Sequence, residues 1–491
     1  MSQEIRSTNP VALWNHFADL NAIPRGSKKE HKIVDFMVQF GKKIGLETVV
    51  DDALNVIIKK PATAGMETRK TIVLQSHLDM VHQKNEDTIF DFDTQGIQME
   101  IIDGWIQAKG TTLGADNGIG VAAIMSILSS TDIPHPPIES LFTIDEETGM
   151  TGAMGLQPGF LTGDILLNLD TEDDDEISIG CAGGIDITAK QSYLENAIPE
   201  NSTAYVINIK GLKGGHSGMD IHKGLGNANK LMNRLLFDGY EDFGLSIASL
   251  KGGNLRNVIP RESQATVIIN NNFKAAFELE ISNSIETLKK EFEVQETKLE
   301  ITFEETELPT SVVNIEIQKK LIRTIAAVHN GVFTMNSKIT DLVETSNNLA
   351  RIIVENGSIE IACLTRSFSE SGKTNLANSI RSVFELAQFD VTISGDYPGW
   401  EPNPNTEIAK LLKDTYIQMF KEEPNVMACH AGLECGILGT HYPKMEMISF
   451  GPTIRGAHSP EEKVNIESTQ KFWRYLQEIL KNIPTKKIQT I

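Results

Sequence analysis

The segment that decides the fold reads TIVLQSHLDMV and covers residues 71–81. Its apolar start predicts a buried β-strand, and a histidine and an aspartate stand two positions apart at its end. Because residues i and i+2 share one face of a strand, His77 and Asp79 are expected side by side. A metal-bound imidazole usually donates its second N–H to a carboxylate or carbonyl, so His77 is a candidate ligand with Asp79 behind it. The alternative is an ordinary polar pair at a strand end.

The neighbouring segments predict one α/β layer around this strand. A helical pattern at Asn117–Leu128 lies between the strand Thr71–Leu74 and a second apolar strand at Ile138–Ile144. A third apolar strand is predicted at Ile165–Leu169. The order strand, helix, strand predicts an α/β fold whose functional site lies at the ends of the strands.

Acidic residues and a histidine occupy positions next to these elements. Asp116 stands in GADNG before the helix, DEETG follows the second strand, Asp170 follows the third, and GAHSPEE near the C-terminus contains His458. Each has an ordinary explanation, such as an N-cap for Asp116 or a solvated charge run for DEETG. Together they supply two histidines and at least three carboxylates. Zinc, manganese and cobalt accept this ligand mixture, and a paired-metal hydrolase needs it.

Composition limits the class of protein. The 491 residues include 45 Lys and Arg against 66 Asp and Glu, which gives a formal net charge of −21. Nucleic-acid and anionic-membrane partners are disfavoured because both require a basic surface. The four cysteines contain no C-x-x-C pair, and no apolar stretch is long enough to span a bilayer. These features predict a cytoplasmic protein.

A change of composition after the acidic run at 170–176 predicts an inserted domain. Residues 1–184 and 398–491 are expected to form one domain, interrupted by an α+β domain at 185–397. The order of elements in the insertion suggests two similar halves, although no sequence repeat is visible. The first domain is expected to end with a helix at Glu461–Leu480.

Five motifs occur along the chain in the order SHLDMV, GADNG, DEETG, NLDTED and GAHSPEE, and GGHSG lies at 214–218 in the insertion. With these motifs the chain resembles the dinuclear zinc exopeptidases of the aminoacylase and carboxypeptidase clan. Within that clan it is most similar to the aminoacyl-histidine dipeptidase family, the carnosinase-like Xaa-His dipeptidases. The resemblance covers essentially the whole chain. It implies a zinc-exopeptidase catalytic domain with an inserted lid domain for substrate binding and dimerisation.

The resemblance implies a set of metal ligands. His77 and Asp170 would hold one cation, and Glu147 and His458 would hold the other. Asp116 would bridge the two, with a cis peptide bond to the residue that follows it. Two divalent cations are therefore expected, zinc first, with manganese and cobalt as alternatives.

The resemblance also implies catalytic and substrate-binding roles. Glu146 matches the general base that activates a metal-bridged water, and Asp79 matches the residue that orients the histidine ligand. His216 matches the residue that stabilises the oxyanion. Positions that receive the C-terminal carboxylate of the substrate are matched by Asn257, Arg366 and Gly432. The implied activity is hydrolysis of dipeptides, including Xaa-His dipeptides such as β-Ala-His, by a homodimer whose site is complete only when its domains close.

The sequence also allows other functional interpretations. Gly118, Gly120 and Ala123 fit the dinucleotide pattern G-x-G-x-x-A, and Asp145 follows about twenty residues later, as in an NAD-dependent oxidoreductase. No apolar strand directly precedes these glycines, so they are interpreted as close helix–sheet packing. A non-catalytic protein should lack Glu146 or His216, and the chain has both. Within the clan, a tripeptidase, a deacylase and a general dipeptidase all stay open.

Overall fold

A computed structural model of the protein describes residues 3–486, and these form two compact units. Unit 1 combines the chain up to Cys181 with Trp400–Ala428 and with the chain from Leu433 onward. Unit 2 is the insertion Ala182–Gly399 together with Cys429–Gly432. Gly432 thus belongs to unit 2, whereas the sequence assigned it to the domain that contains 398–491.

The N-terminal part of unit 1 alternates helices with strands. Its helices are α1 (Gln3–Ser7), α2 (Val11–Leu20), α3 (His31–Lys43), α4 (Ala115–Ser129) and α5 (Thr151–Gly155). Its strands are β1 (Glu47–Val50), β2 (Val56–Lys60), β3 (Ile72–His77), β4 (Met99–Ile102), β5 (Trp105–Ala108), β6 (Ile138–Thr143), β7 (Ile165–Asn168) and β8 (Glu176–Cys181).

Unit 2 contains long strands and four α-helices within the described residues. Its strands are β9 (Gly183–Ser192), β10 (Glu195–Asn196), β11 (Ser202–Lys210), β12 (Ser246–Gly252), β13 (Ser263–Asn270), β14 (Glu300–Thr306), β15 (Val312–Val313), β16 (Gly331–Met335), β17 (Val343–Glu355), β18 (Ser358–Ser367) and β19 (Asp390–Tyr397). Its α-helices are α6 (Ala228–Phe243), α7 (Lys274–Glu291), α8 (Ile315–Ala327) and α9 (Glu370–Leu386).

The C-terminal part returns to unit 1. Its elements are α10 (Glu407–Phe420), β20 (Asn425–Cys429), α11 (Glu434–His441), β21 (Glu446–Ser449), β22 (Ile454–Arg455), β23 (Lys463–Asn465) and α12 (Ile466–Asn482). The prediction that the last helix begins at Glu461 was wrong. β23 pairs with β5, and the Asn465 side chain caps α12 by accepting the Ser468 N–H.

The main sheet of unit 1 has the strand order β1-β2-β6-β3-β7-β21-β8-β20. β3 runs parallel to β6 and β7, and β7 runs parallel to β21. The strands β3, β6 and β7 are buried along their whole length, which explains their continuous apolar sequences. α4 packs on β3 and is itself almost wholly buried. The predicted α/β layer is confirmed.

The main sheet of unit 2 has the order β14-β11-β13-β12-β17-β18-β9-β19. Counted outward from the central pair β12 and β17, each half has its strands in the same order along the chain, namely second, third, first and fourth. All pairings between neighbouring strands are antiparallel. Each half also carries two helices, α6 and α7 in one and α8 and α9 in the other, and all four pack on one apolar core. The predicted similarity of two halves is therefore seen in the topology. No helix of residues 3–486 has the length and apolar character that a membrane span needs.

Candidate functional site

The predicted polar residues of unit 1 meet at one edge of its sheet. Because β3, β6 and β7 are parallel, the residues that follow them lie at the same end. His77 is the last residue of β3, and Asp170 comes two positions after β7. Glu146 and Glu147 come three and four positions after the end of β6, in a turn. The sheet thus gathers residues that are up to 93 positions apart in sequence.

Asp116 lies between two histidines of this edge. Its Oδ1 is 3.2 Å from His77 Nε2, and its Oδ2 is 3.3 Å from His458 Nε2. The backbone at Asp116 and Asn117 is non-helical, and both carboxylate oxygens of Asp116 contact histidines, which an N-cap role alone does not explain. The peptide bond from Asp116 to Asn117 is cis, as the resemblance implies.

Two further carboxylates complete the cluster. Asp170 Oδ1 is 3.5 Å from His77 Nε2, and Glu147 Oε2 is 2.8 Å from His458 Nε2. The side-chain amide of Asn117 donates to the Asp170 carboxylate and to the Leu169 carbonyl. Ligand atoms lie within 4.8 Å of one another in three overlapping groups. These groups are His77–Asp116–Asp170, Asp116–Glu147–His458 and His77–Glu146–Glu147.

Asp79 contacts both His77 and the turn that carries the glutamates. Its Oδ1 is 3.3 Å from His77 Nδ1 and accepts the Glu146 N–H at 3.1 Å. Its Oδ2 accepts the Glu147 N–H at 3.3 Å and the Ser27 hydroxyl at 2.8 Å. The contact between Asp79 and His77 was predicted from their spacing on the strand. The contacts with the glutamate turn were not predicted.

The carboxylates create a strongly negative potential at the cluster. Burial alone would lower the pKa of His77, but Asp170 and Asp116 raise it well above its usual value. Hydrogen bonds to Asp116 and Glu147 raise the pKa of His458 to about 11. Such a potential attracts cations.

Glu146 is the one acid of the turn that the resemblance assigns to proton transfer. Burial raises its pKa well above the usual range, and the neighbouring Asp170 and Glu147 add to this effect against the opposing effect of His77. A glutamate with a raised pKa is suited to act as a general base and acid near neutral pH.

The donor set fits divalent cations. Imidazole nitrogens and carboxylate oxygens are ligands that zinc, manganese and cobalt share. Glu147 Oε1 is buried and has no hydrogen-bond partner among the described residues, as expected for an atom reserved for an ion. The groups His77–Asp116–Asp170 and Asp116–Glu147–His458 could each hold a metal ion, and they share Asp116.

The remaining predicted site residues lie on segments of unit 2 that contact one another and are called here the second cluster. The loop that carries His216 pairs with the loop that carries Asn257, because the Asn257 carbonyl accepts the Ser217 N–H at 2.8 Å. Arg366 Nε donates to Ser217 Oγ at 3.2 Å, and its Nη1 donates to Tyr397 Oη at 2.8 Å. The Arg366 side chain is thereby fixed, and only 4% of the residue is exposed.

The segment that contains Gly432 contacts the His216 loop through its neighbour His430. A Cβ on Gly218 would lie 1.8 Å from the His430 carbonyl oxygen, so only glycine fits at position 218. His430 Nε2 also lies 2.9 Å from Ser346 Oγ. The last glycine of the motif GGHSG is therefore required by a contact with a residue more than 200 positions later in the sequence.

His216 is neutral and has a defined tautomer. Its Nδ1 accepts the N–H groups of Gly218 and Met219 at 3.2 and 3.1 Å, so the proton resides on Nε2. Burial and the nearby Arg366 lower the pKa of His216 to about 4. The Nε2–H is thus a hydrogen-bond donor that needs no protonation step at neutral pH.

Two buried ionisable residues next to the cluster of unit 1, Arg25 and Glu434, were missed. Arg25 donates to the carbonyls of Leu78 and Asp79 at 3.1 Å. Glu434 accepts from Gln75 Nε2 and Thr143 Oγ1, both at 2.6 Å, and burial raises its pKa to about 8. Arg25 stood only in a predicted turn, and Glu434 is indistinguishable in sequence from an ordinary acid at a helix start.

The dinucleotide pattern has a packing role. Gly118 and Gly120 lie inside α4 and not between a strand and a helix. A Cβ on Gly120 would lie 2.4 Å from Ser76 Oγ and 2.9 Å from the Leu169 carbonyl oxygen. The small residues therefore let α4 approach the sheet, as interpreted from the sequence.

The chain is similar in sequence and in fold to known proteins. Residues 73–482 match the family model described as Peptidase family M20/M25/M40. Cytosol non-specific dipeptidase of Escherichia coli (strain K12) is 42% identical over 488 residues, which cover 98% of this chain and 100% of the relative. The crystal structure of aminoacylhistidine dipeptidase from Vibrio alginolyticus matches with a TM-score of 0.90 and 44% identity, covering 99% of each chain. A tripeptidase from Staphylococcus aureus shares the fold, with a TM-score of 0.57 and 17% identity over 97% of this chain and 99% of that one.

Proposed function

We propose a dipeptidase function from the premise that this chain belongs to peptidase family M20/M25/M40. Family membership implies divalent metal ions, typically two. Two relatives that match the full length are named cytosol non-specific dipeptidase and aminoacylhistidine dipeptidase. The observation that carries the proposal is Asp116, whose two carboxylate oxygens each contact a different histidine. A carboxylate in that position can serve two cations at once.

The proposed ligands divide into two sets. We assign His77 and Asp170 to one cation, Glu147 and His458 to the other, and Asp116 to both. Zinc is the proposed metal, and manganese or cobalt would accept the same donors. When bound, such cations polarise a peptide carbonyl and lower the pKa of a water molecule.

The residues of the chain then perform the proton transfers. Glu146 accepts a proton from the attacking water on its carboxylate and returns it to the leaving amine. Asp79 holds the imidazole of His77 and, through two backbone N–H groups, the turn that positions Glu146. This arrangement fixes the base relative to the histidine ligand, which is the kind of preorganisation that catalysis needs.

The proposed substrate contacts come from the second cluster. His216 would donate its Nε2–H to the carbonyl oxygen as negative charge develops there. Arg366 would bind the C-terminal carboxylate of the dipeptide, and Asn257 and Gly432 would complete that contact. The fixed side chain of Arg366 supports this role, because a preoriented guanidinium loses little freedom on binding.

A dipeptide panel with and without chelator tests the function. We expect hydrolysis of α-linked dipeptides, with Xaa-His dipeptides and β-Ala-His among the substrates. The chelator should abolish hydrolysis, and zinc, manganese or cobalt should restore it. Preferential cleavage of tripeptides or of N-acyl amino acids would instead indicate a tripeptidase or a deacylase. Activity that is indifferent to chelation would contradict the proposal.

We also propose a cytosolic location and a homodimer. The location is supported by the name of the Escherichia coli relative. The homodimer rests on the family resemblance alone. Sedimentation equilibrium of the purified protein tests it, and a mass equal to one chain of 54.2 kDa would contradict it.

A further inference from the structure

Glu462 is a buried carboxylate that no step of the proposed reaction uses. It lies four positions after His458, and 2% of its surface is exposed. Its Oε2 accepts the N–H groups of Leu113 and Gly114 at 2.7 and 2.8 Å. Its Oε1 accepts those of Ala115 and Asp116 at 2.7 and 3.2 Å. Four consecutive N–H groups thus converge on one side chain, in the manner of an anion-binding backbone nest.

Arg25 binds the same turn through a carbonyl group. Its Nη2 donates to the Gly114 carbonyl at 2.5 Å, and its Nη1 donates to the carbonyls of Leu78 and Asp79. The anion therefore holds the N–H groups of the turn, while the cation connects the turn to the end of β3. Both ions are buried, so solvent does not screen these contacts.

The turn held in this way is the one that presents Asp116. The carboxylate of Asp116 reaches two histidines only if its backbone is fixed, because its two oxygens contact His77 and His458 on different segments. Glu462 also belongs to the segment that carries His458. One carboxylate thus connects two ligand-bearing segments whose sequence positions differ by more than 340 residues.

We propose that Glu462 is a positioning residue that fixes the Asp116 turn and thereby sets the affinity of the site for divalent cations. The inference rests on the metal site of the proposed function, but it does not require any particular substrate. Glu462 touches no reacting atom in this account. It acts through the backbone of residues 113–116, in the way that outer contacts orient metal ligands.

The first test compares Glu462→Gln with Glu461→Gln. Glutamine at 462 would direct an N–H₂ group at backbone N–H donors, whereas the neighbouring Glu461 is exposed and loses the same charge. Competition of the metal-free proteins with a chromophoric chelator should show zinc affinity about 10–100-fold weaker for Glu462→Gln. Its kcat should recover at saturating zinc while its KM stays unchanged. Equal zinc affinities in the two variants would overturn the proposal.

A second measurement needs no variant and stands if Glu462→Gln does not fold. In the unsubstituted metal-free protein, the amides of Leu113–Asp116 should exchange with deuterium as slowly as those of β3. Exchange as fast as in exposed loops would overturn the proposal. Zinc affinity is measured without substrate, so a protein that binds zinc but hydrolyses no dipeptide would remove the proposed function and leave the role of Glu462 standing.

Discussion

The two clusters of predicted site residues differ most clearly in their histidines. In unit 1, neighbouring carboxylates raise the pKa of His458 to about 11. In unit 2, burial and Arg366 lower the pKa of His216 to about 4 and that of His430 to about 3. One residue type is thus shifted in opposite directions, because hydrogen bonds to carboxylates dominate in one cluster, whereas burial and then a nearby guanidinium dominate in the other.

This difference indicates a division of labour. A negative cluster with an aspartate shared between two histidines suits cations, and a cluster with a fixed arginine and a neutral N–H donor suits an anion or a polarised carbonyl. Substitutions in unit 1 should therefore change metal binding or proton transfer. Substitutions around Arg366 should change substrate affinity and leave the metals in place.

The largest effect is expected for Glu146→Gln. Removal of the general base should lower kcat by about 10²–10⁴-fold, while both cations stay bound. The adjacent variant Glu147→Gln is the matched comparison, and it should lose a cation as well as activity. Metal analysis and steady-state kinetics on the two proteins distinguish these outcomes. Near-normal turnover of Glu146→Gln would remove Glu146 from the role of base.

A somewhat smaller effect is expected for His216→Ala. Loss of one donor to the developing oxyanion should lower kcat by about 10²–10³-fold with little change in KM or in metal content. Because Nδ1 of His216 is already bound to two backbone N–H groups, only Nε2 is available for this role. Partial recovery in His216→Gln, which retains a side-chain N–H donor, would support it. A change confined to KM would assign His216 to ground-state binding instead.

A change in substrate affinity is expected for Arg366→Lys. An ammonium group cannot form two parallel hydrogen bonds with a carboxylate, so KM should rise about 10–100-fold while kcat changes little. Arg351→Lys is the control, since this half-exposed arginine on β17 pairs with Glu360 and is not among the predicted site residues. Dipeptide amides, which lack the carboxylate, should not distinguish Arg366→Lys from the unsubstituted protein. Equal KM values for the free dipeptide in both proteins would contradict the assignment.

The smallest expected effect concerns stability and His430. Because its pKa is lowered to about 3 in the folded state, the unfolded chain takes up a proton first as the pH falls below about 6.5. Stability should therefore decrease as the pH falls from about 6.5 to about 3, and His430 should contribute about 2 kcal/mol to this loss at pH 5. Urea unfolding should show a shallower pH dependence for His430→Gln. An identical slope in both proteins would show that this histidine titrates normally.

The residues at strand ends could be predicted because their positions follow from local patterns. Apolar runs predicted β3, β6 and β7, and parallel pairing then brings the residues after these strands to one edge. The order of the five motifs along the chain indicated the family resemblance, which the comparisons confirm. For Asp116 the local pattern gave two explanations, and only its contacts with His77 and His458 decided between them.

The supporting residues could not be predicted because their partners are distant in sequence. Glu434 contacts Gln75 across 359 positions, and Glu462 contacts Leu113 across 349. No periodicity or spacing specifies such pairs. The start of α12 was misplaced for a related reason, since Glu462 turns inward to accept backbone N–H groups and is followed by β23 instead of a helix.

A zinc titration of the metal-free protein tests the central claim most directly. Hydrolysis of a dipeptide should be absent at first, should rise as zinc is added, and should reach its plateau at two zinc ions per chain. The Asp116→Asn variant, titrated in parallel, should stay inactive over the same range because it lacks the carboxylate proposed to serve both ions. Full activity without zinc, or in the Asp116→Asn protein, would contradict the account.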